Sequence, residues 1–343
     1  MIKLLVVDDQ NIVRNVLSDT FKEDPTIKVV GTAANANEAQ KLVESLKPDV
    51  ISLDVVMPGM SGIEFLNWLM PKYPTPVIML STFTQSGADA TLAALANGAV
   101  DFVQKPDGSE SDFLRMLDEL TTKIKKYGTE VKLQKQSLFA KTSKLTFKED
   151  KNTKIKLIAI GASTGGTQAI DYLLGRLPAN LPPIVIVQHM PEYFTSLFAM
   201  RLKTTSGLNV IEASHGDILE NGGVYLAPGD KHLLVRRLSG KMYIELENFE
   251  KVSGHRPSVD VMFDSIAKGK MGPHCIAIIL TGMGRDGASG IKNIRTANGI
   301  TIGQDEKSSI VYGMPKEAFQ LGGILHQVTL VDIPQKIIHC LEN

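Results

Sequence analysis

The 343-residue chain sets 37 Lys+Arg against 37 Asp+Glu, with 43% apolar and 22% charged residues. Zero net charge excludes a global field that would draw the chain to nucleic acid or an anionic membrane, and the composition excludes a disordered, coiled-coil or collagenous chain. At ~100–200 residues per domain the length suggests about two domains. Strand-like apolar runs then recur at Lys3–Val7, Lys28–Thr32, Val50–Leu53, Val77–Leu80 and Asp101–Val103, with helix-like stretches between them. Five such βα beats predict a parallel sheet covered on both faces, and right-handed crossovers favour a doubly wound, flavodoxin-like α/β domain.

Charged and hydroxyl side chains fall at the ends of these strands. Asp8 and Asp9 follow the first, Asp54 the third, Ser81 the fourth, and Lys105-Pro106 the fifth. In a doubly wound sheet, strands one and three flank the switch point, so their carboxyl ends open into one crevice. Converging carboxylates repel one another unless a hard divalent cation neutralises them, and oxygen-only ligation suits Mg²⁺. With Lys105 and the Ser81 hydroxyl on the same rim, the set can take up a phosphoryl group on Asp54. Read singly, Asp8 and Asp9 are equally helix caps and Asp54 a turn residue. Residues 1–122, with Asp8-Asp9, Leu53-Asp54-Val-Val-Met-Pro-Gly-Met-Ser-Gly62, Ser81 and Lys105-Pro106, resemble a response-regulator receiver domain. The resemblance implies Asp54 as phosphoacceptor, and Mg²⁺ on Asp9, Asp54 and the Val56 carbonyl with Asp8 assisting through water. It further implies Lys105 as phosphoryl contact with a cis bond to Pro106, and Ser81 as the hydroxyl that moves on phosphorylation.

The rhythm breaks from Lys123 to Lys156, which holds eleven lysines against Glu130, Glu149 and Asp150. Its thin apolar pattern reads as an interdomain linker over 123–154. A basic helix gripping nucleic acid is the alternative, although no aromatic interleaving accompanies the lysines. A second α/β pattern follows over 155–343. Strands are predicted at Lys156–Ile160, Ile184–Gln188, Gly223–Ala227, His232–Val235, Tyr243–Leu246, Ile276–Leu280 and Ile300–Gly303, with helices at Thr167–Arg176, Thr195–Leu202, Val259–Ala267, Ser289–Thr296 and Pro315–Leu321. This is a second doubly wound, Rossmann-like parallel sheet. No apolar run reaches the ~20 residues of a membrane span. The amino terminus enters a strand without a signal-peptide layout, and Cys275 and Cys340 make no disulfide framework, so the expected compartment is the cytoplasm.

Gly161-Ala-Ser163-Thr-Gly165-Gly166 lies between a strand and a helix, the setting of a nucleophile elbow, where small neighbours let the chain turn sharply. A phosphate-cradling glycine loop is the competing reading, but neither the dinucleotide fingerprint nor a Gly-Lys-Ser/Thr follows. The next strand ends in His189, within reach of Ser163 as a general base; His215, His232, His255, His274, His326 and His339 lack that placement, which leaves open that some of them border a site. After Cys275–Leu280 comes Thr281-Gly-Met-Gly-Arg-Asp286-Gly, where Asp286 can orient the imidazole and the Met283 N–H can serve an oxyanion. Asp286 reads equally as a cap of the helix that follows.

With these motifs stand Gln188-His-Met-Pro191, Ala227-Pro-Gly229, Gly254-His-Arg-Pro-Ser-Val-Asp260 and Val311-Tyr-Gly-Met-Pro315. On them, residues 155–343 resemble the catalytic domain of CheB, the chemotaxis protein-glutamate methylesterase family. The resemblance implies Ser163 as nucleophile, His189 as base, Asp286 as its orienter and Met283 as a backbone oxyanion contributor. It implies hydrolysis of glutamyl γ-methyl esters on methyl-accepting chemoreceptors, deamidation of glutamines in some members, and no cofactor for the ester chemistry. It also implies a monomer, peripheral to membrane receptors, held in check until the histidine kinase CheA phosphorylates Asp54. Two other classes stay open on the residues alone: a receiver joined to a nucleotide- or ligand-binding module, and a DNA-binding response regulator, although no helix-turn-helix pattern is seen.

Overall fold

In the computed structural model, which describes residues 1–57, 59–82, 84–106, 110–130, 144–148 and 154–342, each half of the apolar alternation closes into its own sheet. The chain divides into two units, Met1–Ser137 and Leu138–Asn343. The first runs β1 (Ile2–Val7), α1 (Asn11–Lys22), β2 (Ile27–Ala33), α2 (Ala36–Leu46), β3 (Val50–Asp54), α3 (Gly62–Lys72), β4 (Val77–Ser81), α4 (Gln85–Ala96), β5 (Asp101–Gln104) and α5 (Glu110–Glu130). Its five strands lie in the order β2-β1-β3-β4-β5, all parallel, the expected flavodoxin-like winding. The sequence Val-Ile-Ser-Leu-Asp of β3 is buried throughout, as a strand covered on both faces must be. The order reverses between β1 and β3, so Asp8 and Asp54 share one sheet edge.

The expected linker begins later than residue 123. Helix α5 runs on to Glu130 and buries Lys123, Ile124 and Tyr127 against the first sheet. Lys123 reaches Asp101 (3.1 Å), Glu119 (2.6 Å) and the Phe102 carbonyl (2.5 Å), so the lysine that looks like solvated linker is neutralised inside the unit. Residues 131–143 and 149–153 of that segment lie outside the described residues. Between them, residues 144–148 lie along the second unit: the Leu145 N–H donates to the Arg176 carbonyl (2.9 Å), Asn180 donates to the Phe147 carbonyl (3.0 Å), and Phe147 is buried.

The second unit continues β6 (Leu157–Ala162), α6 (Gly166–Leu174), β7 (Ile184–Gln188), α7 (Glu192–Ser206), β8 (Asn209–Glu212), β9 (Gly223–Leu226), β10 (His232–Leu238), β11 (Lys241–Glu247), α8 (Val259–Lys268), β12 (Cys275–Ile279), α9 (Ala288–Thr296), β13 (Ile300–Gln304), α10 (Met314–Gln320), β14 (His326–Val328) and α11 (Ile333–Glu342). Seven parallel strands stand in the order β14-β13-β12-β6-β7-β9-β8, while β10 and β11 pair apart as an antiparallel hairpin. Here the order reverses at β6, with β12 on one side and β7 on the other. The carboxyl ends of these three neighbours carry Ser163, His189 and the loop to Asp286. Strands β8 and β14 and helix α11 are absent from the sequence reading.

Candidate functional site

The loop after β6 turns on Gly165, which has φ +76°; a Cβ there would stand 2.5 Å from the Ile310 Cβ. Only glycine meets both demands, so α6 starts at once and Ser163 stays at the sheet rim. Thr281 stitches this loop to the one after β12. The Ser163 N–H donates to the Thr281 carbonyl (3.0 Å), and the Thr281 hydroxyl donates to the Thr164 carbonyl (2.9 Å). A Cβ on Gly282 would lie 2.8 Å from the Ser163 Cβ, so Gly282 leaves no room for a side chain against the serine. Two further bonds fix this loop, as the N–H groups of Gly313 (3.1 Å) and Met314 (2.8 Å) both reach the Gly282 carbonyl.

Asp286 does not cap α9, whose N-cap is Gly287. Its carboxylate turns the other way, onto the amino end of α8. The Ser258 hydroxyl (2.7 Å) and Asp260 N–H (3.2 Å) donate to Oδ1, the Val259 N–H donates to Oδ2 (2.7 Å), and Oδ2 also meets His189 Nε2 (2.8 Å). Burial disfavours the charged carboxyl, but His189 and these donors outweigh it and hold Asp286 below the ordinary carboxylate range. The His189 side chain is only 7% exposed, and its Nδ1 is buried without a hydrogen-bond partner. Among the described residues no hydrogen bond joins the Ser163 hydroxyl to His189. The two are tied through the backbone instead: Gln188 Nε2 donates to both the Ser163 (2.9 Å) and His189 (3.1 Å) carbonyls.

Three contributors escape the sequence reading. Gln188 looks like an ordinary strand end. Ser258 and His255 stand in Gly254-His-Arg-Pro-Ser-Val-Asp260, a run rich in polar and backbone-bending residues, and that density is the available signal. His255 has no place at a strand end, yet its ring stacks on His189, centroids 3.7 Å apart and planes 10° from parallel. Position relative to strands is blind to such a contact because the segment arrives from a loop.

In the first unit, ligand oxygens of Asp8, Asp9 and Asp54 lie within 4.8 Å of one another. Lys105 Nζ pairs with both Asp8 (2.8 Å) and Asp54 (2.9 Å). Asp8 and Asp9 are not side-chain caps: the N-cap of α1 is Gln10, which makes no side-chain cap bond, and Asp8 Oδ1 accepts from the Gln10 N–H (2.9 Å). Burial and the nearby Asp8 charge raise Asp54 above the ordinary carboxylate range despite Lys105. Burial acts against the charged Lys105 too, yet the two carboxylates win and raise it. A set of carboxylate oxygens crowded this closely fits a small hard divalent cation. The Val56 N–H approaches Asp54 Oδ1 (3.4 Å), which brings that backbone to the cluster. Ser81 ends β4 beside it, but its hydroxyl faces α4, accepting from Thr91 (2.7 Å) and donating to the Gly87 carbonyl (3.3 Å). The Lys105–Pro106 bond is not cis; among the described residues that isomer occurs at Arg256–Pro257. An X–Pro bond favours trans by only ~0.5–1 kcal/mol, so local sequence does not decide it.

Comparison with known proteins follows the same two-part division. Residues 158–337 match the CheB methylesterase family, and residues 4–117 match the response regulator receiver domain. A Sulfurimonas denitrificans protein named protein-glutamate methylesterase/protein-glutamine glutaminase is 45% identical, covering 100% of this chain and 99% of its own length. A similarly named Vibrio vulnificus protein is 44% identical over 97% of this chain and 96% of its own. The crystal structure of the Thermotoga maritima CheB methylesterase catalytic domain covers 54% of this chain and 98% of its own, at 40% identity and a TM-score of 0.53.

Proposed function

The chain belongs to the CheB methylesterase family and carries a response regulator receiver domain, and on that premise we propose that it is a phosphorylation-regulated protein-glutamate methylesterase of chemotaxis adaptation. Its substrates are glutamyl γ-methyl esters on methyl-accepting chemoreceptors. The Ser163 hydroxyl attacks the ester carbonyl while His189 takes its proton. Because Asp286 holds Nε2, the accepting atom is Nδ1, the buried nitrogen that has no other partner. The oxyanion of the tetrahedral adduct is met by the Met283 N–H. Collapse expels methoxide, which leaves as methanol with the proton from His189. Water, deprotonated by the same imidazole, then frees the glutamate carboxylate and restores Ser163. On a γ-carboxamide the same steps release ammonia, the glutaminase half of the relatives' name.

Asp54 is the phosphoacceptor in the same proposal. Asp8, Asp9, Asp54 and the Val56 carbonyl would hold Mg²⁺, which neutralises charge on the incoming phosphoryl group when bound. Lys105 then pairs with the phosphoryl oxygens, and Ser81 leaves Thr91 and Gly87 to meet them. Phosphorylation by a histidine kinase raises ester hydrolysis. A tenfold rise needs only about 1.4 kcal/mol of differential stability between the less and more active arrangements.

This reading is supported above all by Asp286, clasped by Ser258, Val259 and Asp260 and turned onto His189 at the sheet edge that carries Ser163. Methanol release from methylated receptor membranes, with and without a phosphodonor and Mg²⁺, tests it. Ser163→Ala is expected to lose on the order of 10³-fold or more. Asp54→Asn is expected to keep the basal rate and lose the response to phosphodonor. Near-normal turnover of the first variant, or stimulation of the second, refutes the respective half.

A further inference from the structure

We propose that His255 is a positioning residue for the general base, holding the His189 ring so that Nδ1 is presented to Ser163. The inference rests on the serine-hydrolase reading and deepens it. A histidine χ2 is a soft sp³–sp² torsion with broad wells. Asp286 anchors the ring at one atom, Nε2, which lies close to the axis of that rotation, so the hydrogen bond restrains the swing of the ring only weakly. A flat surface against the ring face does what the bond does not. The His255 imidazole supplies it, centroids 3.7 Å apart and planes within 10°.

The surface is itself fixed. His255 exchanges both backbone hydrogen bonds with Val252, N–H to carbonyl at 2.9 Å and the reverse at 3.1 Å. The next residue, Arg256, grips Asp230 Oδ1 through Nε (3.0 Å) and Nη2 (2.7 Å), and donates through Nη1 to the carbonyls of Asn248 (2.7 Å) and Phe249 (3.0 Å). Two residues further on, Ser258 and Val259 bind the Asp286 carboxylate. One short segment thus sets the face of the histidine and the direction of the carboxylate that meets its edge. Positioning of this kind matters because displacements of about 1 Å cost up to ~10²-fold in rate.

The test uses the full-length chain and compares His255→Ala with His255→Phe, which keeps a flat ring. The readouts are kcat and KM for methanol release and the rate at which a serine-directed organophosphonate labels Ser163. His255→Ala is expected to lower kcat about tenfold with KM within about twofold, and to slow labelling by a similar factor. His255→Phe is expected to recover both to within about threefold of the native chain. An unchanged kcat in His255→Ala, a loss confined to KM, or a Phe variant no better than Ala overturns the proposal. Ser163→Ala is run alongside: if it still turns over, the hydrolase reading itself fails; if it is inactive while His255→Ala is fully active, only the role of His255 does.

Discussion

Asp260, in the first turn of α8, and Asp286, whose carboxylate meets that turn from the loop before α9, are driven in opposite directions. Asp286 collects the His189 ring and three donors, so its folded carboxyl lies low, and the stability it contributes is present above the unfolded value and lost as pH falls through the folded one. Asp260 accepts from the Gly290 N–H (2.7 Å), but burial, helped by the charge of Asp286, raises it from 3.8 to about 6. Its folded state favours the proton, so that contribution is present below the unfolded value and gone once pH passes about 6. Asp260→Asn removes the titration and retains an acceptor for Gly290. By calorimetry its second-unit transition should lie above that of the native chain at pH 7.5, with the gap closing near pH 4; a variant less stable at pH 7.5 would contradict this. At this scale the places of Ser163, His189 and Asp54 beside strand ends are legible in the sequence because strand ends are readable, whereas Asp286 lies in the loop between β12 and α9 and is marked only by the glycines around it. Gln188, His255 and Ser258 act by meeting partners from other parts of the chain, and no local pattern announces that.

Among the elements, long buried strands are readable and short edges are not. β3, β6, β7 and β12 are nearly continuous apolar runs, whereas Asn209-Val-Ile-Glu of β8 and His326-Gln-Val of β14 are too short and polar to stand out. Helix α5 is the instructive case. Its lysine-rich end suggests solvent, yet Tyr127 donates to Asp101 (3.1 Å) and the Val100 carbonyl (3.1 Å), while Lys123 fills the charge hole left by Asp101 and Glu119. Burial opposes the Lys123 charge, but these carboxylates raise its pKa regardless. Lys123→Met should strand a buried carboxylate and cost about 3–5 kcal/mol, whereas Lys123→Met combined with Asp101→Leu should cost clearly less. Trp68, the single tryptophan and part of α3, reports first-unit unfolding in urea. A double variant that loses as much as Lys123→Met alone, or more, would contradict this.

For the molecule as a whole, described residues at both ends of the expected linker pack into the units themselves. Residues up to Glu130 belong to α5, and Leu145–Phe147 already lie on the second unit. A fragment spanning 144–343 should therefore melt several degrees above one spanning 152–343, since the shorter fragment lacks the buried Phe147 and its backbone bonds. Both should hydrolyse ester at least as fast as the unphosphorylated full-length chain, and indistinguishable melting would mean that the Phe147 contact contributes nothing. The seven-stranded sheet has one more property on this scale. Its two outermost strands, β8 and β14, span only four and three residues. Rims that brief offer too few free amides to template a foreign strand, so the broad, very apolar sheet that carries Ser163 is guarded against fibrillar self-association where such sheets are most vulnerable.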